Sequence, residues 1–167
     1  VTAIVLVGAP GAGKTTIGRL VAAEIGHSFV DVDALIEKAV GKPITEIFVT
    51  DGEPHFRALE VEHTLAALAG GGVVSLGGGA VMNADIRRAL SGHVVVWLRV
   101  SASQAARRAG LNASRPLLWG DLRGRLQTML AERTPVYEEV ATVVVDTDHT
   151  DPAEVARSVL SAVKEQS

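Results

Sequence analysis

Gly8-Ala9-Pro10-Gly11-Ala12-Gly13-Lys14-Thr15 is the stretch on which the reading of this chain turns. It satisfies G-x-x-x-x-G-K-[ST] and stands between a β-branched apolar run, Ile4 to Val7, and a segment from Thr15 to Ile25. In that segment Ile17, Leu20, Val21 and Ile25 fall on one face at helical spacing. Strand, glycine-rich turn and helix in that order form a cradle for phosphate. The glycines let successive backbone N–H groups converge on phosphate oxygens, and the helix aims its positive end at them. Lys14 is placed to reach the β- and γ-phosphates, and the Thr15 hydroxyl to ligate Mg²⁺. The motif implies a bound nucleoside triphosphate, but leaves open whether the γ-phosphate passes to water, to a protein or to a small molecule.

Four more short apolar runs follow: Phe29 to Val32, Val73 to Leu76, Val94 to Leu98 and Thr142 to Val145. Each is continuous rather than alternating, as expected of strands covered on both faces, so the sheet is expected to be parallel. Helical patterns separate them at Ala34 to Ala39, His55 to Leu68, Ala84 to Leu90, Ser103 to Arg108, Leu122 to Glu132 and Pro152 to Lys164. Alternating strands and helices of these lengths imply a doubly wound α/β domain. No internal repeat or low-complexity linker divides the chain, so residues 1–167 read as one domain. Two stretches carry a mobile, turn-rich composition. One is 40 to 54, around Gly41, Pro43 and Asp51-Gly52; the other is 109 to 121, which holds Arg115 and has the composition of a lid.

Apolar residues make up 47% of the 167 and charged residues 21%, which fits a globular chain with one core. A net charge of −3 and 4% aromatics supply neither a basic field nor stacking platforms, so nucleic acid is not an expected partner. Cysteine is absent, which removes disulfides, a thiolate nucleophile and cysteine-based zinc sites. No apolar run approaches the roughly 20 residues that span a bilayer, and Val1 to Val7 lead into a loop without a cleavage signature. The expectation is a soluble, untargeted, cytoplasmic protein acting on a small substrate.

The acceptor side is read from residues at the carboxyl ends of the other strands, where open α/β sheets bind ligands. Asp31-Val32-Asp33 closes the second strand. One carboxylate could bind a metal-held water while the other takes a proton from an acceptor hydroxyl; equally, Asp33 could only cap a helix starting at Ala34. Gly77-Gly78-Gly79 follows the third strand and offers bare N–H donors, or a plain turn. Arg57, near the start of one helix, and Arg133, read as ending another before Pro135, would together specify a carboxylate, since guanidinium forks match such oxygen pairs. Arg115 is a candidate to fold over the γ-phosphate. Histidines 27, 55, 63, 93 and 149 show no metal-binding spacing, and Trp97 and Trp119 read as core and lid packing.

With these residues in hand, the chain resembles the shikimate kinase family along essentially its whole length. The resemblance is carried by Gly8 to Thr16, Asp31-x-Asp33, Asp51-Gly52-Glu53-x-x-Phe56-Arg57, Ser75-Leu76-Gly77-Gly78-Gly79-Ala80, Arg115-Pro116-Leu117-Leu118 and Arg133-x-Pro135-x-Tyr137. It implies a three-layer α/β/α fold of the nucleoside-monophosphate-kinase-like type, with a five-stranded parallel sheet in the order 2-3-1-4-5 and a lid. It also implies transfer of the γ-phosphoryl group of ATP to the 3-hydroxyl of shikimate, with one Mg²⁺ ion, as a step of aromatic amino-acid biosynthesis. By the same resemblance ATP is held by Gly11, Ala12, Gly13, Lys14, Thr15 and Thr16 with Arg108, Arg115 and Pro152. Thr15 ligates the metal, and Asp31 touches it through water. Asp33 binds shikimate hydroxyls and assists proton removal, with Lys14 and Arg115 as its catalytic partners. Arg57 and Arg133 hold the shikimate carboxylate, and Gly77, Gly78 and Gly79 form its backbone-binding loop.

In the adenine loop, where relatives often carry arginine, this chain reads Asp146-Thr147-Asp148-His149-Thr150-Asp151-Pro152, so adenine is expected on Arg108 and Pro152 without a second basic partner. A gluconate-type small-molecule kinase shares the loop and the size. A regulatory nucleotide-binding module without catalysis would be expected to break Lys14, Asp33 or Arg115, and all three are present. The expected partners are ATP and shikimate alone, with the chain acting as a monomer away from membranes.

Overall fold

The computed structural model describes residues 1–110, 119–148 and 151–166. Five strands form one parallel sheet: β1 (Ala3–Val7), β2 (Phe29–Asp31), β3 (Gly72–Ser75), β4 (Val94–Arg99) and β5 (Val143–Asp146), in the order β2-β3-β1-β4-β5. The register pairs Val5 with Val74 on one side and with Val95 on the other, so β1 is central. This is the expected order, and it brings the carboxyl ends of β1, β2 and β3 to one edge.

The inner strands β1, β3 and β4 are apolar on both faces because each face is covered. Val5, Val7, Val74, Leu76 and Trp97 pack on one side with buried residues of α2 (Val32–Val40), α3 (Ile44–Asp51), α4 (Glu53–Ala69) and α5 (Ala84–Leu90). Leu6, Val73, Val96, Leu98 and Val145 pack on the other with α1 (Lys14–Ile25), α6 (Ala102–Gly110) and α8 (Pro152–Glu165). The long α7 (Trp119–Val140) belongs to both layers, since its Leu126 lies in the second core and its Tyr137 in the first.

Two expectations are corrected. Residues 40 to 54 are not an irregular stretch. After Gly41 ends α2 in the left-handed region at φ 83°, Pro43 precedes α3, whose Ile47 is wholly buried and whose Phe48 ring lies 4.8 Å from that of Phe56. A helix this short shows only one apolar stripe, and its flanking glycines and proline masked it. Arg133, likewise, does not end a helix: α7 runs through Pro135 to Val140. The proline removes one backbone hydrogen bond, but the apolar contacts of Val136, Tyr137 and Val140 with the core carry the helix past it. The lid reading of 109 to 121 falls mainly on 111–118, outside the described residues.

Candidate active site

The turn from β1 into α1 is tight. Gly8 has φ 150°, and a Cβ there would stand 2.6 Å from the Leu98 carbonyl oxygen, so no larger residue fits beside β4. The turn delivers Lys14 as the first residue of α1, where its Nζ donates to the carbonyl oxygens of Gly8 at 2.7 Å and Ala9 at 3.0 Å. Burial pulls the Lys14 ammonium down to about 8, against the opposing pull of the Asp33 and Asp31 carboxylates. The Thr15 hydroxyl donates to Asp31 Oδ2 at 3.0 Å, which joins the two residues expected around the metal.

The two aspartates at the end of β2 divide their roles by geometry. Asp31 is the N-cap of α2: its Oδ1 accepts from the N–H of Asp33 at 3.0 Å and of Ala34 at 3.3 Å. The capping alternative raised for Asp33 is therefore taken by its neighbour. Asp33 Oδ1 is buried and without a hydrogen-bond partner. Its pKa is pushed up to about 6, first by burial, then by the nearby Asp31 and Glu60 carboxylates, with Lys14 opposing. A buried carboxylate with an idle oxygen is poised to accept a proton or a hydroxyl hydrogen. It opens on a cavity of about 320 Å³ shared with Lys14, Thr15, Asp31, Gly77 and Gly78.

Arg57 and Arg133 come together over the glycine triad. A Cβ on Gly79 would lie 3.0 Å from Arg133 Nη2 and 3.1 Å from Arg57 Nη2, so only a bare backbone leaves both guanidiniums room. Behind the site, Arg57 Nη1 donates to Glu60 at 2.7 Å, and Arg57 Nε faces Glu53 at 3.5 Å. The Arg57 guanidinium also sits 5.3 Å from the Phe56 ring. A second cavity of about 320 Å³, lined by Glu53, Arg57, Gly79, Asn83, Glu132 and Arg133, opens in front of the pair. At the near end of the triad, a Cβ on Gly77 would meet Asp33 Oδ1 at 2.8 Å and Glu60 Oε2 at 3.0 Å. The triad thus runs from the Asp33 carboxyl at Gly77 to the paired guanidiniums at Gly79.

On the far side of the phosphate turn, Ala12, Gly13, Thr16, Arg108, Thr147 and Pro152 line a cavity of about 250 Å³ suited to a flat base. Arg108 is held there by the carbonyl of Gly11 at 3.0 Å, the Thr147 hydroxyl at 3.2 Å and the Thr147 carbonyl. Of the residues expected to act, Gly11 to Thr16, Asp31, Asp33, Arg57, Gly77 to Gly79, Arg108, Arg133 and Pro152 all line these three cavities or stand directly against them. Arg115 and His149 lie outside the described residues.

Sequence reasoning missed Glu60, which is 2% exposed and anchors Arg57, although its position three residues after Arg57 on a helix was a legible signal. It also missed Thr147, whose hydroxyl donates to the Arg99 carbonyl at 3.2 Å while accepting from Arg108.

The family model described as shikimate kinase matches residues 10–164. The shikimate kinase of Thermobifida fusca is 50% identical over 156 residues, covering 93% of this chain and 91% of that protein. That of Mycobacterium avium is 50% identical over 159 residues, covering 94% and 90%. The solved shikimate kinase from Acinetobacter baumannii, in complex with shikimate, superposes with a TM-score of 0.89 at 34% identity, covering 99% of this chain and 94% of that one. A gluconokinase from Sinorhizobium meliloti superposes at 0.64 with 23% identity and shares the fold alone.

Proposed function

Because the chain belongs to the shikimate kinase family, we propose that it transfers the γ-phosphoryl group of ATP to the 3-hydroxyl of shikimate through the three regions described above. It is an ATP-dependent kinase. The observation that carries the site assignment is the convergence of Arg57 and Arg133 on Gly79, one short loop away from the unpartnered oxygen of Asp33. Two guanidiniums match the paired oxygens of a carboxylate, and a carboxyl group with a pKa near 6 matches the proton of a ring hydroxyl.

In this reading the base of ATP rests between Arg108 and Pro152, and its phosphates lie along Gly11 to Thr16 with Lys14 on the β- and γ-oxygens. Arg57 and Arg133 orient shikimate by its carboxylate so that the 3-hydroxyl meets Asp33. As the hydroxyl oxygen forms its bond to the γ-phosphorus, Asp33 takes the proton, and the bond from that phosphorus to the β,γ-bridging oxygen breaks to release ADP. Thr15 and Asp31 offer a hydroxyl and a carboxylate 3.0 Å apart, hard oxygen donors that fit Mg²⁺. The ion, when bound, would supply charge neutralisation on the phosphates. Arg115 is assigned to the γ-phosphate by family resemblance.

The single five-stranded sheet and a family model that matches residues 10–164 support one kinase domain, which we assign as a monomer. Among the described residues no helix is long and apolar enough to cross a membrane, and with two water-soluble substrates we assign the protein to the cytoplasm. The deciding experiment is ADP production with shikimate, with gluconate and with neither. Shikimate-dependent release is the expected result; equal release with gluconate, or none with shikimate, would overturn the assignment.

A further inference from the structure

Tyr137 has no exposed surface and stacks on Trp97 with ring centroids 5.6 Å apart, an arrangement that a phenylalanine would satisfy equally well. Its hydroxyl is what needs explaining. The phenol donates to the carbonyl oxygen of Gly78 at 2.5 Å, across 59 residues of sequence. Tyr137 stands one helical turn after Arg133 on α7, and the charge of the Arg133 guanidinium faces the phenol. Burial raises the pKa of the phenol despite that neighbouring charge, so the group stays a neutral donor throughout the working pH range.

Gly78 itself is wedged in place, since a Cβ there would meet Arg133 Nη1 and Pro10 Cδ, both at 3.0 Å. The Tyr137 hydroxyl therefore holds the peptide plane between Gly78 and Gly79, against which the guanidinium of Arg133 packs. A trans peptide carries its C=O and N–H on opposite sides, and the described chain has no cis bond. Fixing the Gly78 carbonyl on Tyr137 thus fixes the Gly79 N–H facing the other way.

We propose that Tyr137 is a positioning residue for the acceptor, whose hydroxyl sets the orientation of the Gly78–Gly79 peptide on which Arg133 packs, so that the acceptor carboxylate and ring meet a preformed set of donors. This rests on the shikimate kinase reading and adds to it a residue that touches neither substrate. A free glycine triad would sample many orientations, and ordering it on binding would weaken affinity for the acceptor alone.

The test is Tyr137→Phe, which keeps the ring on Trp97. Measured quantities are KM for shikimate, KM for ATP, kcat, its pH profile and the thermal midpoint. The expected result is a rise in shikimate KM of roughly three- to tenfold, the range for one lost hydrogen bond, with ATP KM changed less than about twofold and the pH profile unmoved. In an Arg133→Ala background the same change should raise shikimate KM by a smaller factor, because the two residues meet at the same glycine loop. A lower thermal midpoint with unchanged shikimate KM, or an equal rise in both KM values, would overturn the proposal and leave Tyr137 a structural residue. If the unmodified enzyme made no shikimate-dependent ADP, the functional reading would fall, and this inference with it. Normal wild-type turnover beside an unaltered Tyr137→Phe enzyme would sink the inference alone.

Discussion

Asp33 combines two properties that pull against each other. Its carboxylate is destabilised by burial and by Asp31 and Glu60, and the same environment brings its pKa to about 6, close to where a proton acceptor works best. The pKa is raised from an ordinary value of 3.8, so the folded protein holds this proton more tightly than the unfolded chain. The resulting stabilisation is fully present below about pH 4 and is lost as pH rises through about 6. Asp33→Asn should therefore have a higher thermal midpoint than the unmodified protein at pH 7.5, and the two should coincide near pH 4. Its kcat should fall roughly 10²- to 10⁴-fold, with shikimate affinity changed much less. In the unmodified enzyme kcat/KM for shikimate should rise with pH through about 6. A kcat that survives the substitution would remove Asp33 from proton transfer; a midpoint that does not rise at pH 7.5 would show its charge to be well accommodated. The sequence placed both aspartates at the sheet edge but left open whether Asp33 caps the following helix or takes a proton, because capping depends on the direction of a side chain. The Asp31 contact with the Thr15 hydroxyl, 16 residues away, turns that carboxylate toward the helix start.

At the scale of elements, the seating of α1 on the sheet decides where the phosphate turn points. Gly18 lies at the contact: a Cβ there would meet the Phe29 ring at 2.2 Å and Leu6 Cδ1 at 3.1 Å. Gly18→Ala should cost about 1–3 kcal/mol by overpacking and should weaken ATP binding, as α1 moves off β2 and takes Lys14 and Thr15 with it. Phe29→Leu in the same chain should restore part of both losses, and thermal melts with ATP titrations on the three variants would check this. No recovery would mean that the strain lies elsewhere. The five strands were legible because a buried parallel strand is apolar throughout, while their order was implied by the family resemblance. The short α3 and the course of α7 beyond Pro135 were not. There the local signals say stop, and it is burial of Ile47 and Tyr137 against distant strands that overrides them. The pairing of Arg57 with Arg133 was legible as two residue types, but their meeting at Gly79 depends on how α4 and α7 pack, which no local pattern records.

Taken whole, the molecule has one cavity at Arg108 and Pro152 and another at Arg57 and Arg133; filled by nucleotide and acceptor as proposed, each should contribute stability separately. A ligand at about 100 times its dissociation constant stabilises the native state by about 2.7 kcal/mol, which for a chain of this size is a shift of roughly 5–10 °C. MgATP and shikimate should each raise the thermal midpoint. Lys14→Ala should lose most of the nucleotide shift while keeping the shikimate shift, and Arg57→Ala should do the reverse. If either variant lost both shifts, the two regions would not be independent sites.

The lysine at the head of α1 has a further consequence, in the exchange of protons with solvent. With its ammonium held near 8 by burial, Lys14 is roughly three quarters neutral at about pH 8.5. Triphosphate arriving beside it restores the charge, so each nucleotide bound at that pH should draw a fraction of a proton out of the buffer. Calorimetric heats of ATP binding at pH 8.5 should then vary with the ionisation enthalpy of the buffer, and Lys14→Arg, which stays charged at that pH, should abolish that variation. The phosphate turn would register the arrival of its ligand as proton uptake, before any phosphoryl group has moved.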